Sequence, residues 1–444
     1  MDALSNFQHE LSQISTGQKN LTIMQARKVV KRLNEFLYCT NPNEKSRIQV
    51  FGSVREYFSE FHKYWEENHE KILGCKISNA KCEEAADALH DIYILTKGSA
   101  FTQIYDTAGL THEQICQVRM LTANQDFRGS RSFKELAGVY KADPTIFDVD
   151  QISADPIAFT KAIGLTNLSQ TDKRVSYAQN IANLLKYYHT TPYELITKFN
   201  NDVFKLREAL INWQGAGYGN KKTDMFIRDM VVLGVWKNVK GFDKIDVASD
   251  VNTIKVALRT GIVKTAIPVV SSFLDIYCYQ YSYMDQMNAL AWRKVWEVWS
   301  KKYPKEALAS PCLMDYFVYG VIGRQFCKEG LVIFQCSQYK HIFPWHSAQN
   351  RTCQVCYKEH RGRVWAEPIN KMMPCASNDG EIAILNTDYV RSLPEEQKLK
   401  ECPFKNICGA NRKLMPPKSI SIMGQTGWTT AYAEREIGGG GLMA

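Results

Sequence analysis

A chain of 444 residues exceeds what one ordinary hydrophobic core fills, so two or three domains are expected. An apolar share of 45% with no uninterrupted apolar run long enough for a bilayer excludes an integral helical membrane protein, and the net charge of +9 is compatible with a polyanionic partner without requiring one. No N-terminal stretch reads as a signal peptide, and 13 cysteines in an apparently cytoplasmic chain argue for thiols and metal over a disulfide framework.

The first ~140 residues read as helical, with Ile23, Ala26, Val30, Leu33 and Leu37 recurring at spacings of three and four to make one apolar face. "LTANQDFRGSRSF" (121–133) reads as a polar loop in which Arg128 and Arg131 flank a glycine, candidates for contact with a polyanion. Asp and Pro cluster in 141–156, "KADPTIFDVDQISADP", which marks a linker and a boundary near residue 150. Helical periodicity resumes at about 173 with Val175, Ala178, Ile181, Ala182 and Leu185, and "TTPYELITKF" places a proline in the first turn of the next helix. "DVFKLREALINW" predicts another helix, and it runs directly into "GAGYGNKKTDMF" (215–226). The aromatics of 277–299 offer flat stacking surfaces, but their helical spacing fits core packing at least as well. Beyond 330 the character changes to short strands, "LVIFQC", "RGRVWAEPI" and "EIAILN", among cysteines and histidines, and the tail "EIGGGGLMA" is low complexity. The expectation is a mostly α protein with a helical N-terminal region (1–150), a helical core (151–330) and a small Cys-rich module (331–444).

Glycines at 215, 217 and 219 let backbone N–H groups approach an anion, and the helix after them offers its free N–H groups and positive dipole end. A tight helix–helix turn would use the same glycines. The surrounding "LREALINWQGAGYGNKKTDMFIRDM" resembles the helix-hairpin-helix of the DNA glycosylase superfamily, in which a hydrophobic helix leads into Gly-x-Gly and then Lys-Thr. "SDVNTIKVALRTGIV" (249–263) resembles the same family's Asp-bearing helix, with Arg259 nine residues after Asp250. The likeness covers roughly 160–330. The long Lys222-to-Asp250 separation is more similar to the archaeal 8-oxoguanine glycosylase branch than to the endonuclease III type, so the resemblance does not carry a substrate.

The resemblance implies a base-flipping glycosylase and AP lyase acting on double-stranded DNA. A lysine at the start of the post-hairpin helix attacks the sugar and forms a Schiff base, and an aspartate stabilises the cationic sugar. The lysine is Lys221 if counted from Gly219 and Lys222 if aligned on Lys-Thr. Lys222 shares a helical face with Met225, Phe226 and Met230, whereas Lys221 lies above Asp224 and Arg228 on a face that reads as solvated. Since desolvation beside a second cation lowers an amine's pKa, Lys222 is expected to be the nucleophile and Lys221 a neighbouring charge or phosphate contact. Asp250 is the expected partner, and a plain helix N-cap is its alternative role.

Cys353 and Cys356 form C-x2-C, and Cys402 and Cys408 form C-x5-C; the two pairs can supply four thiolates to one tetrahedral zinc. Cys336, His341, His346, His360 and Cys375 are spare donors. "CPFKNIC" also resembles the end of the [4Fe–4S] motif of some glycosylases in this superfamily, but the compact four-cysteine spacing is missing, and zinc is preferred. A monomer without membrane association is expected. Two other readings stay open: excision of hypermodified phage bases in antiviral defence, and a non-catalytic protein that keeps the hairpin for DNA binding alone.

Overall fold

A computed structural model describes residues 74–102, 105–126, 131–165, 171–264 and 281–326. It also describes the shorter pieces 46–50, 53–57, 332–336, 338–344, 366–372 and 402–408, with Cys356 and a few other single residues. The fold is mostly α. Strands β1 (Ser46–Val50) and β2 (Ser53–Tyr57) form an antiparallel hairpin in the region expected to be helical. The apolar face from Ile23 to Leu37 lies outside the described residues. Strand β3 (Lys76–Ile77) enters helix α1 (Asn79–Thr96), followed by α2 (His112–Thr122), α3 (Phe133–Ala142), α4 (Val149–Ala154) and α5 (Pro156–Ala162).

The segment 141–156 is not a linker but a run of short helices. Asp143, Asp148 and Asp155 each accept backbone N–H bonds at the start of the next helical turn, and Pro144 and Pro156 occupy its first positions. The residues that suggested a break are therefore N-caps and first-turn prolines.

Helix α6 (Thr171–Tyr187) buries Ala178, Ile181, Ala182 and Leu185, as the periodicity implies. "ELITKF" (Glu194–Phe199) is 3-10 helix, and α7 (Val203–Asn212) leads to the glycine turn and α8 (Asn220–Val232). Helix α9 (Val251–Thr260) ends at Gly261 and passes into β4 (Val263–Lys264), which pairs antiparallel with β3. Helix α10 (Tyr281–Lys302) packs on α1. A π-helical stretch, Phe317–Phe326, lies against α9.

One apolar cluster runs from Leu110 to Cys312 and takes in Leu121, Phe147, Ile181, Leu206, Phe226 and Met230. It crosses residue 150, so helices on both sides of that position share a core. Each such large side chain contributes about 1.5–3 kcal/mol on burial. Trp292 and Trp299 of α10 are fully buried, and Trp299 meets Phe101 edge-on at 5.3 Å. These aromatics serve packing. In the C-terminal region β5 (Val332–Cys336) lies between β6 (Ile342–Pro344) and β7 (Ala366–Met372), all antiparallel. "EIAILN" falls outside the described residues. The short helix α11 (Lys405–Cys408) touches α1 and α9, and Phe404 stacks on Trp292 at 6.3 Å. No helix among the described residues is long and apolar enough to cross a membrane.

Candidate active site

Between α7 and α8 the chain turns through Gly215 and Gly217, both in the left-handed region with φ of +76° and +74°. A Cβ on Gly217 would lie 2.5 Å from the Tyr177 ring, and one on Gly215 would lie 2.7 Å from Asn180 Nδ2. The close approach to α6 requires glycine at both positions. Gly219 differs. Its φ is −97°, nothing lies within 4 Å of where its Cβ would stand, and it begins α8 with no side-chain cap. The turn is anchored beneath: Asn124 Nδ2 donates to the Ala216 carbonyl at 2.9 Å, and the Tyr218 hydroxyl donates to the Met120 carbonyl. On the other side the Arg207 guanidinium donates to Asp224 and Asn220, which clamps α7 to the first turns of α8.

One face of α8 opens on a cavity of about 410 Å³. Lys221, Met225, Arg228 and Asp229 line it, at spacings that belong to one helical face. The expectation that Lys221, Asp224 and Arg228 sit on a solvated face does not hold, because Asp224 and Arg228 are buried. Asp229 is held rigidly there. One of its oxygens accepts from Arg119 at 2.9 Å and from the Tyr105 hydroxyl at 3.2 Å, while the other accepts from Arg228. Arg228 also pairs with Asp315. A buried network satisfied in this way fixes a wall with little freedom to relax. The rings of Tyr105, Phe133, Tyr316 and Tyr319 add flat surfaces, and Asp126 and Arg131 complete the lining beside Asp250.

Asp250 faces the same cavity from the start of α9. Its Oδ1 accepts from the backbone N–H of Asn252 at 2.9 Å and of Thr253 at 2.8 Å, and Oδ2 accepts from Asn252 Nδ2 at 3.0 Å. The N-cap role and the cavity role thus belong to one side chain. Behind it stands Asp285 on α10. The Asp285 carbonyl accepts from Ser249 Oγ at 3.0 Å, and Asn288 Nδ2 donates to Ser249 Oγ and Thr253 Oγ1, so the second turn of α10 is stitched to the cap of α9. Burial pushes the Asp285 carboxyl up to about 8, with Lys221 pulling it down and Asp250 pushing it further up.

Lys222, one position round the helix from Lys221, is not part of the cavity lining. Its ammonium donates to the Asn124 carbonyl and lies 5.3 Å from the Tyr177 ring centre. Burial lowers its amine to about 8; Asp126 opposes that shift, and Lys221 and Arg174 reinforce it. Chemistry and position therefore select different lysines: the softened amine is Lys222, and the amine in the cavity with Asp250 is Lys221.

Arg131 lies on the cavity rim, whereas Arg128 is outside the described residues, as is Cys353. Cys356 and Cys402 are buried, and Cys408 is half-buried. Cys356 Sγ is 3.4 Å from His341 Nδ1, and the other ring nitrogen of His341 is 4.0 Å from a Glu359 oxygen. Thiolate, imidazole and a carboxylate behind the imidazole are the donor chemistry of a zinc site. Among the described residues no three His, Cys, Asp or Glu side chains are grouped as a metal ion requires.

Asp285, Asp126 and the Tyr105, Tyr316 and Tyr319 rings were not singled out from sequence. For Asp285 a signal existed: it interrupts the stripe Met284, Asn288, Trp292, Val295 and Trp299, which is buried throughout, so an acid sits at the edge of an apolar face. The tyrosines come from two segments more than two hundred residues apart, and no local pattern joins them. Comparison of the chain with protein-family models, with curated proteins and with solved structures gave no match.

Proposed function

We propose that the protein is a DNA glycosylase with AP-lyase activity, and that Lys221 is its nucleophile. The observation that carries this reading is the cavity of about 410 Å³ in which Lys221 and Asp250 face the same space. That volume lies at the small end of ligand pockets and is ample for one extruded base with its sugar. The rings around it offer stacking surfaces, and its fixed charges offer hydrogen bonds to base edges. Reactive geometry precedes amine acidity as a criterion, because an amine that cannot reach the sugar does nothing whatever its pKa. On this reading Lys222 anchors α8 to the Asn124 turn beneath the site.

In the reaction the Lys221 nitrogen bonds to the anomeric carbon while the glycosidic bond breaks and its electron pair leaves with the base. Asp250, fixed in place as a helix cap, faces the positive charge that develops on the sugar. Ring opening gives a Schiff base, and β-elimination then cuts the strand. The uncapped start of α8 at Gly219, with two lysines just inside it, supports a backbone phosphate contact.

Borohydride trapping on a duplex with a single abasic site tests this without knowledge of the base. Wild type is expected to give a covalent adduct, Lys221→Gln to lose it and Lys222→Gln to retain it. Loss in Lys222→Gln alone would return the nucleophile to Lys222, and no adduct from wild type would remove the lyase reading.

A further inference from the structure

The acids and bases on one wall of the cavity form a chain with two open ends. Arg119 of α2 donates through Nε to Asp229, Arg228 donates to the other Asp229 oxygen, and Arg228 also pairs with Asp315, which follows the turn Pro311–Met314. The middle of the chain is used up, since both Asp229 oxygens and all three Arg228 nitrogens are engaged. Its ends are not. Among the described residues nothing accepts from the two terminal nitrogens of Arg119, and nothing donates to Asp315 Oδ1. Both side chains line the cavity, although Arg119 is only 9% exposed and Asp315 5%. Buried charges with spare hydrogen-bonding capacity are costly, and a ligand that completes them recovers that cost.

We propose that Arg119 and Asp315 read the edge of a neutral heteroaromatic base, Arg119 donating to its acceptors and Asp315 accepting from one of its N–H groups. This deepens the glycosylase reading and rests on it for the identity of the ligand as an extruded base. With Nε on Asp229, the end of the guanidinium is left as a two-donor fork, which suits carbonyl and ring-nitrogen acceptors. Asp315 supplies the opposite sense. Tyr105 and Phe133 stack at 4.8 Å, and the Arg119 guanidinium lies 5.9 Å from the Tyr105 ring centre, so the fork stands beside a flat surface. Four basic and four acidic side chains line the cavity, so its formal charges cancel and favour a neutral ring over an anion. An edge contact of this kind separates bases by their hydrogen-bond pattern, whereas Lys221 and Asp250 would act on a sugar that all of them share.

The test measures binding of deoxyinosine and deoxycytidine to the whole chain by calorimetry and saturation-transfer NMR. Each nucleoside carries acceptors beside an N–H. At least one is expected to bind wild type, and its form with every edge N–H methylated to bind about tenfold more weakly. Arg119→Lys keeps a cation for Asp229 without the fork, and Asp315→Asn keeps an oxygen for Arg228 while a donor replaces the open acceptor. Each is expected to weaken binding about tenfold. In Asp315→Asn the penalty for methylation should vanish, which a merely loosened wall would not produce. Should the variants not fold, the methylated and unmethylated nucleosides on wild type decide the matter. No binding of either nucleoside, binding indifferent to methylation, or displacement of the nucleoside by inorganic phosphate would overturn the proposal. Abasic-site trapping reports separately on the lyase reading: an adduct without nucleoside binding leaves that reading and removes the base-reading wall. Nucleoside binding sensitive to both substitutions, without an adduct, does the reverse.

Discussion

Asp250 caps α9 and, in the proposed reaction, faces the sugar as well; a single substitution usually removes two such tasks together, and its hydrogen bonds show how to separate them. Capping uses Oδ1, which accepts from two backbone N–H groups. An asparagine oxygen can accept the same bonds, and asparagine caps helices about as well as aspartate. Only the bond from Asn252 Nδ2 to Oδ2 is lost, because two amide nitrogens would then face each other. Asp250→Asn is thus expected to melt close to wild type and to bind duplex DNA, yet to release no base. Asp250→Ala, which removes the cap as well, should lose about 1 kcal/mol of stability in addition. Equal melts for the two variants would show that the cap contributes nothing, and base release by Asp250→Asn would remove the charge from the mechanism. Asp250 was readable from sequence because its signal is local, nine residues ahead of Arg259. For Asp285 the sequence shows only an acid at the edge of a buried stripe, because the burial that raises its carboxyl is set by packing between elements distant in the chain.

Among the elements, the hairpin separates into glycines that build it and a glycine that leaves room. Gly215 and Gly217 have positive φ and abut α6, so a side chain at either position strains the backbone and meets Asn180 or Tyr177. Weak DNA binding by a Gly217 variant would therefore reveal little about phosphate. Gly219 is the clean probe, since its φ of −97° suits any residue and open space surrounds it. Gly219→Val is expected to keep the wild-type melt within a degree or two. It should lower affinity about tenfold for every duplex, damaged or not, because phosphate contacts carry no sequence information, and it should flatten the dependence of affinity on salt. Unchanged affinity in the folded variant would mean that the hairpin is only a turn. Sequence placed α6, α7 and α8 well, since each carries a clear apolar period and a terminal signal. It misread 141–156, where Asp-Pro pairs punctuate successive short helices. Local chemistry is the same for a cap and for a break, and only the packing of Phe147, Ile152 and Phe159 in the common core distinguishes them.

At the scale of the whole molecule, the question is what holds the cysteine-bearing C-terminal segment on the helical core. Among the described residues its apolar anchor is Phe404, fully buried against Trp292, with Ile407 and Cys402 nearly so. A few side chains contribute only several kcal/mol, against an ordering cost of about 1–2 kcal/mol for each residue fixed. A cross-link between the 353–356 and 402–408 segments would offset that cost. The zinc proposed for Cys353, Cys356, Cys402 and Cys408, with His341 placed to replace one of them, would supply it, since binding energy at a structural zinc site is folding energy. Elemental analysis is expected to find about one zinc per chain, and Cys356→Ser or Cys408→Ser to lose it. Limited proteolysis of either variant, or of wild type with a strong chelator, should then cut beyond residue 330 and leave the helices between Asn79 and Lys302 intact. The apolar cluster from Leu110 to Cys312 lies wholly before residue 330, so Lys221 and Asp250 should still face one cavity and abasic-site trapping should persist in the trimmed protein. About four irons per chain would replace zinc with a cluster. A metal-free protein that resists the protease would show that Phe404 and its neighbours hold the segment unaided.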